Sequence, residues 1–419
     1  MNIRILGAGQ EVGRSAIMIE GEKKLMLDYG VKLENNVPEL PVAMPNVDGI
    51  VLSHAHLDHS GAVPTYYRNK RVPTYGTSST LSLIDLLLED TIKIAKKEHT
   101  MPIFSKKDLG KMSNNYVNLP YHRKIDINPW KLKFYDAGHI SGSAISEIER
   151  PKAKSYNKIV YTGDFKLQPQ LLHYGAEMVK SDVLIIESTY ANRDHPDREE
   201  LISKFIAEVK ETIESGGTAL VPAFAVGRGQ ELLTMLYKNG LADVTYVDGM
   251  IRKATHLVTE GEERIKDAAL LDKAIAKSSW IEEAKDRNEA LSTPSVILTT
   301  AGMLTGGPVL NYIQHLNKKS KIFLTGYQVE GTNGRMLIDQ KKIILDGELK
   351  DISTPVSVYD FSAHSGKTDL YNYVRESAPN VVVCVHGSEE NTKLFAETLR
   401  GEGFEAYAPK VGDKIELKD

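Results

Sequence analysis

Ser53-His54-Ala55-His56-Leu57-Asp58-His59-Ser60-Gly61 places four metal-competent side chains within six residues, directly after the apolar run GIVL at 49–52. No hydrophobic core requires that density of histidine. In an extended stretch alternate residues share a face, so His54 and His56 can grip one ion while Asp58 and His59, in the turn into a following helix, reach a second. The remaining ligands must then come from other strand ends.

Suitable residues recur there: His139 follows LKFYDAG, Asp164 follows IVYTG, Glu187 follows VLII, His364 follows VYDFSA and His386 follows VVVCV. Each alone reads equally as a turn residue or a satisfied buried polar group. With His54 they predict one sheet edge carrying one polar cluster, because ligands of open α/β sheets gather at one set of strand ends. Counting ligands predicts two zinc ions per chain. His54, His56 and His139 supply the first, Asp58, His59 and His386 the second, and Asp164 bridges them. A thiolate-free His/Asp site suits zinc, and manganese or iron fits it less comfortably. Two such cations lower the pKa of bound water from about 16 toward 7 and stabilise an anionic transition state at phosphorus.

The 419 residues suffice for about two domains, and 41% apolar with 26% charged residues is an ordinary globular composition. The start, MNIRILGAGQ, has neither a basic region nor a long apolar stretch, and no run is long enough for a membrane span. A cytoplasmic location without membrane association is the expectation. The single cysteine, Cys384, excludes intramolecular disulfides and a Cys-rich zinc ribbon. A net charge of −4 argues against a nucleic-acid-coating protein but permits a local basic channel. The basic stretches Lys93 to Lys97, Lys106 with Lys107, and Arg150 to Lys158 read as solvated faces.

Short apolar runs alternate with longer helical patterns, which predicts an α/β protein. The opening runs NIRIL, AIMIE and KLMLD are spaced as a meander, and Ser78 to His99 has the apolar spacing of an amphipathic helix. Turn-rich sequence around Thr189 to Arg198 marks a boundary. Beyond it, helix and strand patterns (TALVP, VTYV, SVILTT, KIFLTG) predict a parallel α/β unit. From Pro355 the run VSVYDF, a helix, NVVVCVHG and a final helix suggest a return to the first domain. The expected units are residues 1–190, an insertion at 191–354, and a return segment at 355–419.

The motifs GAGQEVGRSA, LMLDYG, SHAHLDHSG, GHISGSA, TGDF and VHGS resemble the metallo-β-lactamase hydrolase pattern, which implies an αββα sandwich. The stretches ESTYANRDHP, VPAFAVGRGQE, TTAGMLTGGP, TGYQVEGTNGR and FSAHSG resemble the inserted β-CASP domain of the RNA 3′-end-processing endonuclease of the cleavage and polyadenylation specificity factor, and of its short archaeal and bacterial relatives; RNase J is more distant. The resemblance covers nearly the whole chain. It implies a zinc-dependent ribonuclease that leaves 5′-phosphate and 3′-hydroxyl ends, endonucleolytic rather than 5′-to-3′ exonucleolytic in its main action, working in RNA processing or decay. It implies that Glu187, His364 and His386 are the β-CASP-specific residues. Asp58, Asp164, Glu187 and His364 act in catalysis, with His364 held by Glu187 beside the scissile phosphate. Asp28 matches the first superfamily motif and buttresses the HAHLDH loop. DNA-processing relatives usually carry an aliphatic residue at the position of His386, which favours single-stranded RNA as partner. A homodimer and partners in an RNA-processing complex rest on the resemblance alone.

GRGQE and AGMLTGG read either as tight turns or as phosphate-binding backbone, with Arg228 a candidate RNA contact. His99, His122, His173, His195, His256 and His315 receive no role. The competing functions are a small-molecule hydrolase such as a thioesterase or lactonase, which has no need of a second α/β domain over its site, and a non-catalytic RNA-binding subunit, which would hold zinc without cleaving.

Overall fold

In the computed structural model, which describes residues 1–34, 37–97, 99–263 and 265–418, the opening runs form the expected meander. Strands Asn2–Gly7, Ala16–Glu20 and Lys24–Leu27 pair antiparallel in succession. Alternation then divides their side chains between two faces. Ile3, Ile5, Ile17, Ile19, Leu25 and Leu27 enter a core shared with Leu132, Phe134, Ile148, Ile159, Val183 and Val383 of a second sheet. Each of the two sheets has seven strands.

The outward faces are covered by helices. Leu83, Ile84, Leu88 and Ile92 of helix Ser78–Lys97 join Met18, Met26 and Ile50 beneath the first sheet. Over the second, Leu370 and Val374 of helix Lys367–Ser377 and Phe395 and Leu399 of helix Glu389–Gly401 pack on Ile145, Leu184 and Val382. The result is the αββα sandwich. The carboxyl-terminal strand Lys414–Glu416 closes it beside the first strand, with Ile3 opposite Ile415. The long helix ends at Lys97, and residue 98 lies outside the described residues, so the expected extension to His99 is not part of it.

The inserted unit is built on a six-stranded sheet whose neighbours all run parallel. Its strands Thr218–Pro222 and Ser295–Thr299 are buried at every residue, as expected for a sheet covered on both faces. One strand departs from expectation. Val356–Val358, expected to open the return segment, is hydrogen-bonded to Lys321–Leu324 with Ile322 opposite Val356, and so completes the inserted sheet. The run VSVYDF has the apolar pattern of a strand in either sheet, and only the pairing decides between them.

Two buried carboxylates tie the insertion down. Glu231 accepts the backbone N–H groups of Leu171 and Leu172 at 3.1 and 2.7 Å. Glu263 accepts those of Ser78 and Ser79, at the start of the long helix, at 3.0 and 2.7 Å. The basic stretches lie on exposed helix and hairpin surface except for Arg150, which is buried with its guanidinium over the Trp130 ring. Among the described residues no helix is long and apolar enough to cross a membrane.

Candidate metal centre

Strand Gly49–Val51 ends one turn before the histidines, so His54 and His56 stand on a loop and Asp58 and His59 on the short helix Leu57–Ser60. Asp28 supports this loop. Its buried carboxylate accepts from the Ser53 backbone N–H at 2.7 Å, the Ser53 hydroxyl at 2.6 Å, His59 Nδ1 at 2.7 Å and the Tyr161 hydroxyl at 2.7 Å. Asp28 itself has a positive φ of 57°, a conformation few non-glycine residues adopt.

These bonds also fix which ring nitrogen faces inward. The Ser53 hydroxyl proton is given to Asp28, leaving its oxygen to accept from His54 Nδ1 at 3.0 Å. His139 Nδ1 donates to the Ala363 carbonyl at 2.9 Å. The Nε2 lone pairs of both rings then point at His56 Nδ1, from 3.1 and 3.2 Å. Burial pushes the pKa of His54 and of His139 well below the usual histidine range, so both rings are neutral. At most one proton can lie among these three nitrogens, and converging lone pairs repel unless a cation lies between them. Ligands about 2.0–2.1 Å from a tetrahedral zinc stand roughly 3.4 Å apart, close to the spacing found.

A second group meets the first at Asp164. His59 Nε2 lies 3.3 Å from Asp164 Oδ2, and His386 Nε2 lies 3.3 Å from Asp58 Oδ2. His59 Nε2 is buried and makes no hydrogen bond. Burial alone would lower the His59 pKa, but the Asp164 and Asp58 carboxylates outweigh it and raise it well above the usual range. A dication bound there would displace that proton. Metal-competent side chains gather in three groups that share Asp164: His54, His56, His139 and Asp164; Asp58, His59, Asp164 and His386; and Asp164, Glu187 and His364. The donor chemistry and spacing of the first two fit zinc.

His364 stands next to the cluster but faces a different partner. Its Nδ1 lies 2.9 Å from Glu187 Oε2, while Nε2 is 3.9 Å from Asp164 Oδ2. Burial disfavours its charge, yet the Glu187 and Asp164 carboxylates prevail and the pKa is pushed up to about 9. Unlike the other ligand-edge residues, His364 does not follow a strand of the sandwich. It descends on the loop after Val356–Val358, so the inserted sheet delivers it to the cluster. His386 has a positive φ of 48° and is held by its N–H to Ala8 O at 2.8 Å.

Two neighbours escaped the sequence reading. Lys166 Nζ and His195 Nε2 donate to the His364 carbonyl at 2.8 and 3.1 Å, fixing the loop from behind. Sequence spacing gives His195 no role, although it lies inside ESTYANRDHP, and Lys166 directly follows TGDF. Arg228, at the start of helix Arg228–Lys238, is buried in this neighbourhood with Nη1 lacking a hydrogen-bond partner. Arg198 and Asp360 act electrostatically on it.

Three family profiles match the chain: "Anti-Pycsar protein Apyc1" over residues 1–214, "Beta-Casp domain" over 230–337, and "Zn-dependent metallo-hydrolase RNA specificity domain" over 351–409. The chain is 37% identical to "Probable RNase MJ4" of Methanocaldococcus jannaschii, covering 100% of both proteins. It is 35% identical to "RNase aCSPSF2" of Saccharolobus solfataricus (99% of this chain, 85% of the relative). It is 33% identical to "Transcription termination factor FttA" of M. jannaschii (100% and 72%). A crystal structure of a protein of unknown function from Enterococcus faecalis V583 shares the fold, with a TM-score of 0.62 at 14% identity and 99% of each chain covered. Relatives that match from end to end, joined to an inserted parallel sheet over a His/Asp centre, lead to one assignment: the chain belongs to the β-CASP family of metallo-β-lactamase-fold hydrolases.

Proposed function

We propose that this chain is a two-zinc ribonuclease that cleaves single-stranded RNA internally, leaving 5′-phosphate and 3′-hydroxyl ends, with 5′-to-3′ trimming as a secondary action. The observation that carries this reading is the pairing of two four-residue His/Asp groups that share Asp164 with His364, held 2.9 Å from Glu187, beside them. Relatives named as RNases across the whole length support it. His54, His56 and His139 would hold one ion, Asp58, His59 and His386 the other, and Asp164 both. Bound there, the zinc pair supplies Lewis acidity, which makes water nucleophilic at neutral pH and neutralises charge developing on the phosphate.

The chain's own residues do the rest. Asp28 and Ser53 hold the ligand loop in one tautomer and orientation. Glu187 keeps the His364 imidazole charged, and Nε2 is free to give its proton to the departing 3′-oxygen. The phosphorus–3′-oxygen bond breaks as the bond from phosphorus to the water oxygen forms, and the proton lost by that water is released to solvent. Arg228 contributes positive charge for a backbone phosphate. The units that go with this reading are a sandwich formed by residues 1–190 and the return segment, and an insertion running from 191 through Val358. A homodimer, RNA-processing partners and a cytoplasmic location complete the proposal.

The test uses purified, zinc-loaded chain and RNA labelled at either end, carrying a 5′-monophosphate or triphosphate. Internal fragments from both substrates are expected; mononucleotides from the monophosphate alone would replace the endonuclease reading with an exonuclease. The zinc count has its own check. Elemental analysis should give about two ions per chain and one after His386→Ala, whereas saturation of the unaltered protein at one ion would end the binuclear reading.

A further inference from the structure

Buried aromatics dominate this chain. It contains nine Phe, nineteen Tyr and two Trp residues, and among the described residues only Tyr174, Phe224 and Tyr327 of these are exposed. Phe224 is 39% exposed and Tyr327 56%. Both belong to motifs that the metal chemistry leaves unused, VPAFAVGRGQE and TGYQVEGTNGR.

Their positions are related. Phe224 follows strand Thr218–Pro222 and Tyr327 follows strand Lys321–Leu324, and these strands are parallel neighbours, so both residues stand at one carboxyl edge of the inserted sheet. The floor between them is bare. A Cβ added to Gly326 would touch only Phe224 Cε2, at 3.8 Å. The Phe224 ring therefore reaches the residue that immediately precedes Tyr327.

That edge faces the metal centre. The turn after Phe224 packs against the residue next to His139, since a Cβ on Gly227 would lie 2.4 Å from Ile140 Cγ2. The chain leaving the next parallel strand, Val356–Val358, runs from the same edge down to His364. The turn, closed by the Gly229 N–H on the Phe224 carbonyl at 3.0 Å, also carries Arg228, whose buried Nη1 has no hydrogen-bond partner and so keeps a donor for an anion.

Exposed aromatic rings beside a cationic donor are the means by which proteins hold single strands without reading sequence, because every base has a π-face while a duplex hides its own. We propose that Phe224 and Tyr327 form a stacking platform for an unpaired base of RNA at the carboxyl edge of the inserted sheet, with Arg228 taking an adjacent phosphate. This rests on the ribonuclease reading and adds to it the feature that selects single strands over duplexes. A small ester would gain nothing from such a platform.

The experiment measures binding of a single-stranded RNA, and of the same RNA with abasic sites, to the zinc-loaded full chain. The comparison covers the unaltered protein, Phe224→Leu, Tyr327→Leu and Tyr327→Phe, with cleavage by the unaltered protein followed in parallel. Each Leu variant should weaken RNA binding about 10-fold. Tyr327→Phe, which keeps the ring, should bind as the unaltered protein does. Abasic RNA should bind weakly to all four, with zinc content equal among them as the check on folding. Leu variants with unaltered affinity, or equal affinity of the unaltered protein for abasic and intact RNA, would overturn the platform alone if that protein still cleaves RNA. A protein that neither binds nor cleaves RNA would remove the ribonuclease reading and the platform with it.

Discussion

At the scale of single residues, His364 stands outside the two four-residue groups that share Asp164. With its Nδ1 2.9 Å from the buried Glu187 carboxylate, the ring is set up to carry charge. His364→Ala should therefore leave zinc content unchanged while slowing single-turnover cleavage by about 10² to 10⁴, the range for a lost general acid. Loss of an ion on the same preparation would make His364 a ligand instead. The Glu187 carboxylate gives the second expectation its sign. It raises the pKa of His364, and a general acid works only while protonated, so activity is present below that pKa and lost as pH rises through it. Glu187→Gln keeps a hydrogen-bond acceptor of the same shape but removes the charge. The alkaline limb of the pH–rate profile should move to lower pH; an unmoved limb would show that another group controls it.

At the scale of elements, the start of helix Ser78–Lys97 depends on a residue far away in the chain. Backbone N–H groups of a first turn have no partner within their own helix. Here Glu263 supplies both oxygens to Ser78 and Ser79, placing negative charge at the positive end of the helix dipole. A hydrogen bond to a charged group is worth about 1.5–3 kcal/mol, and Glu263 is buried. Glu263→Ala should lower unfolding stability by roughly 2 kcal/mol, read from the urea midpoint at unchanged slope. The metal content should stay at the unaltered value, because Glu263 touches no ligand. A variant as stable as the original would mean that solvent replaces the carboxylate at no cost.

At the scale of the whole molecule, one apolar cluster runs through both units. It joins Met18, Met26 and Leu52 of the sandwich and Leu83 of the long helix to Leu233, Ile251 and Ala254 of the insertion. The loop bearing His364 also crosses from the inserted sheet to the metal centre. Separate unfolding would expose this shared core and break the Glu231 and Glu263 contacts together. Calorimetry of the zinc-loaded chain should therefore show one cooperative transition with calorimetric and van't Hoff enthalpies in agreement. Two resolved transitions would mean that the units are energetically independent and that the shared core contributes little.

The sequence by itself carried the local part of this protein. The HAHLDH spacing, the strand-end positions of His139, Asp164 and His386, the meander at the start and the parallel pattern of the insertion were legible because each is written within a few residues, in side-chain chemistry or in a period of two or 3.6. Tertiary structure alone decided what depends on pairing between distant segments. Val356–Val358 joins the inserted sheet through hydrogen bonds to Lys321–Leu324, a choice that its apolar pattern cannot express. Lys166 and His195 brace the His364 carbonyl, although nothing in their spacing indicates a common target. The burial of most aromatics and the exposure of Phe224 and Tyr327 follow from which surface each strand end meets once the sheets have packed, a property of the assembled chain and of no single stretch within it.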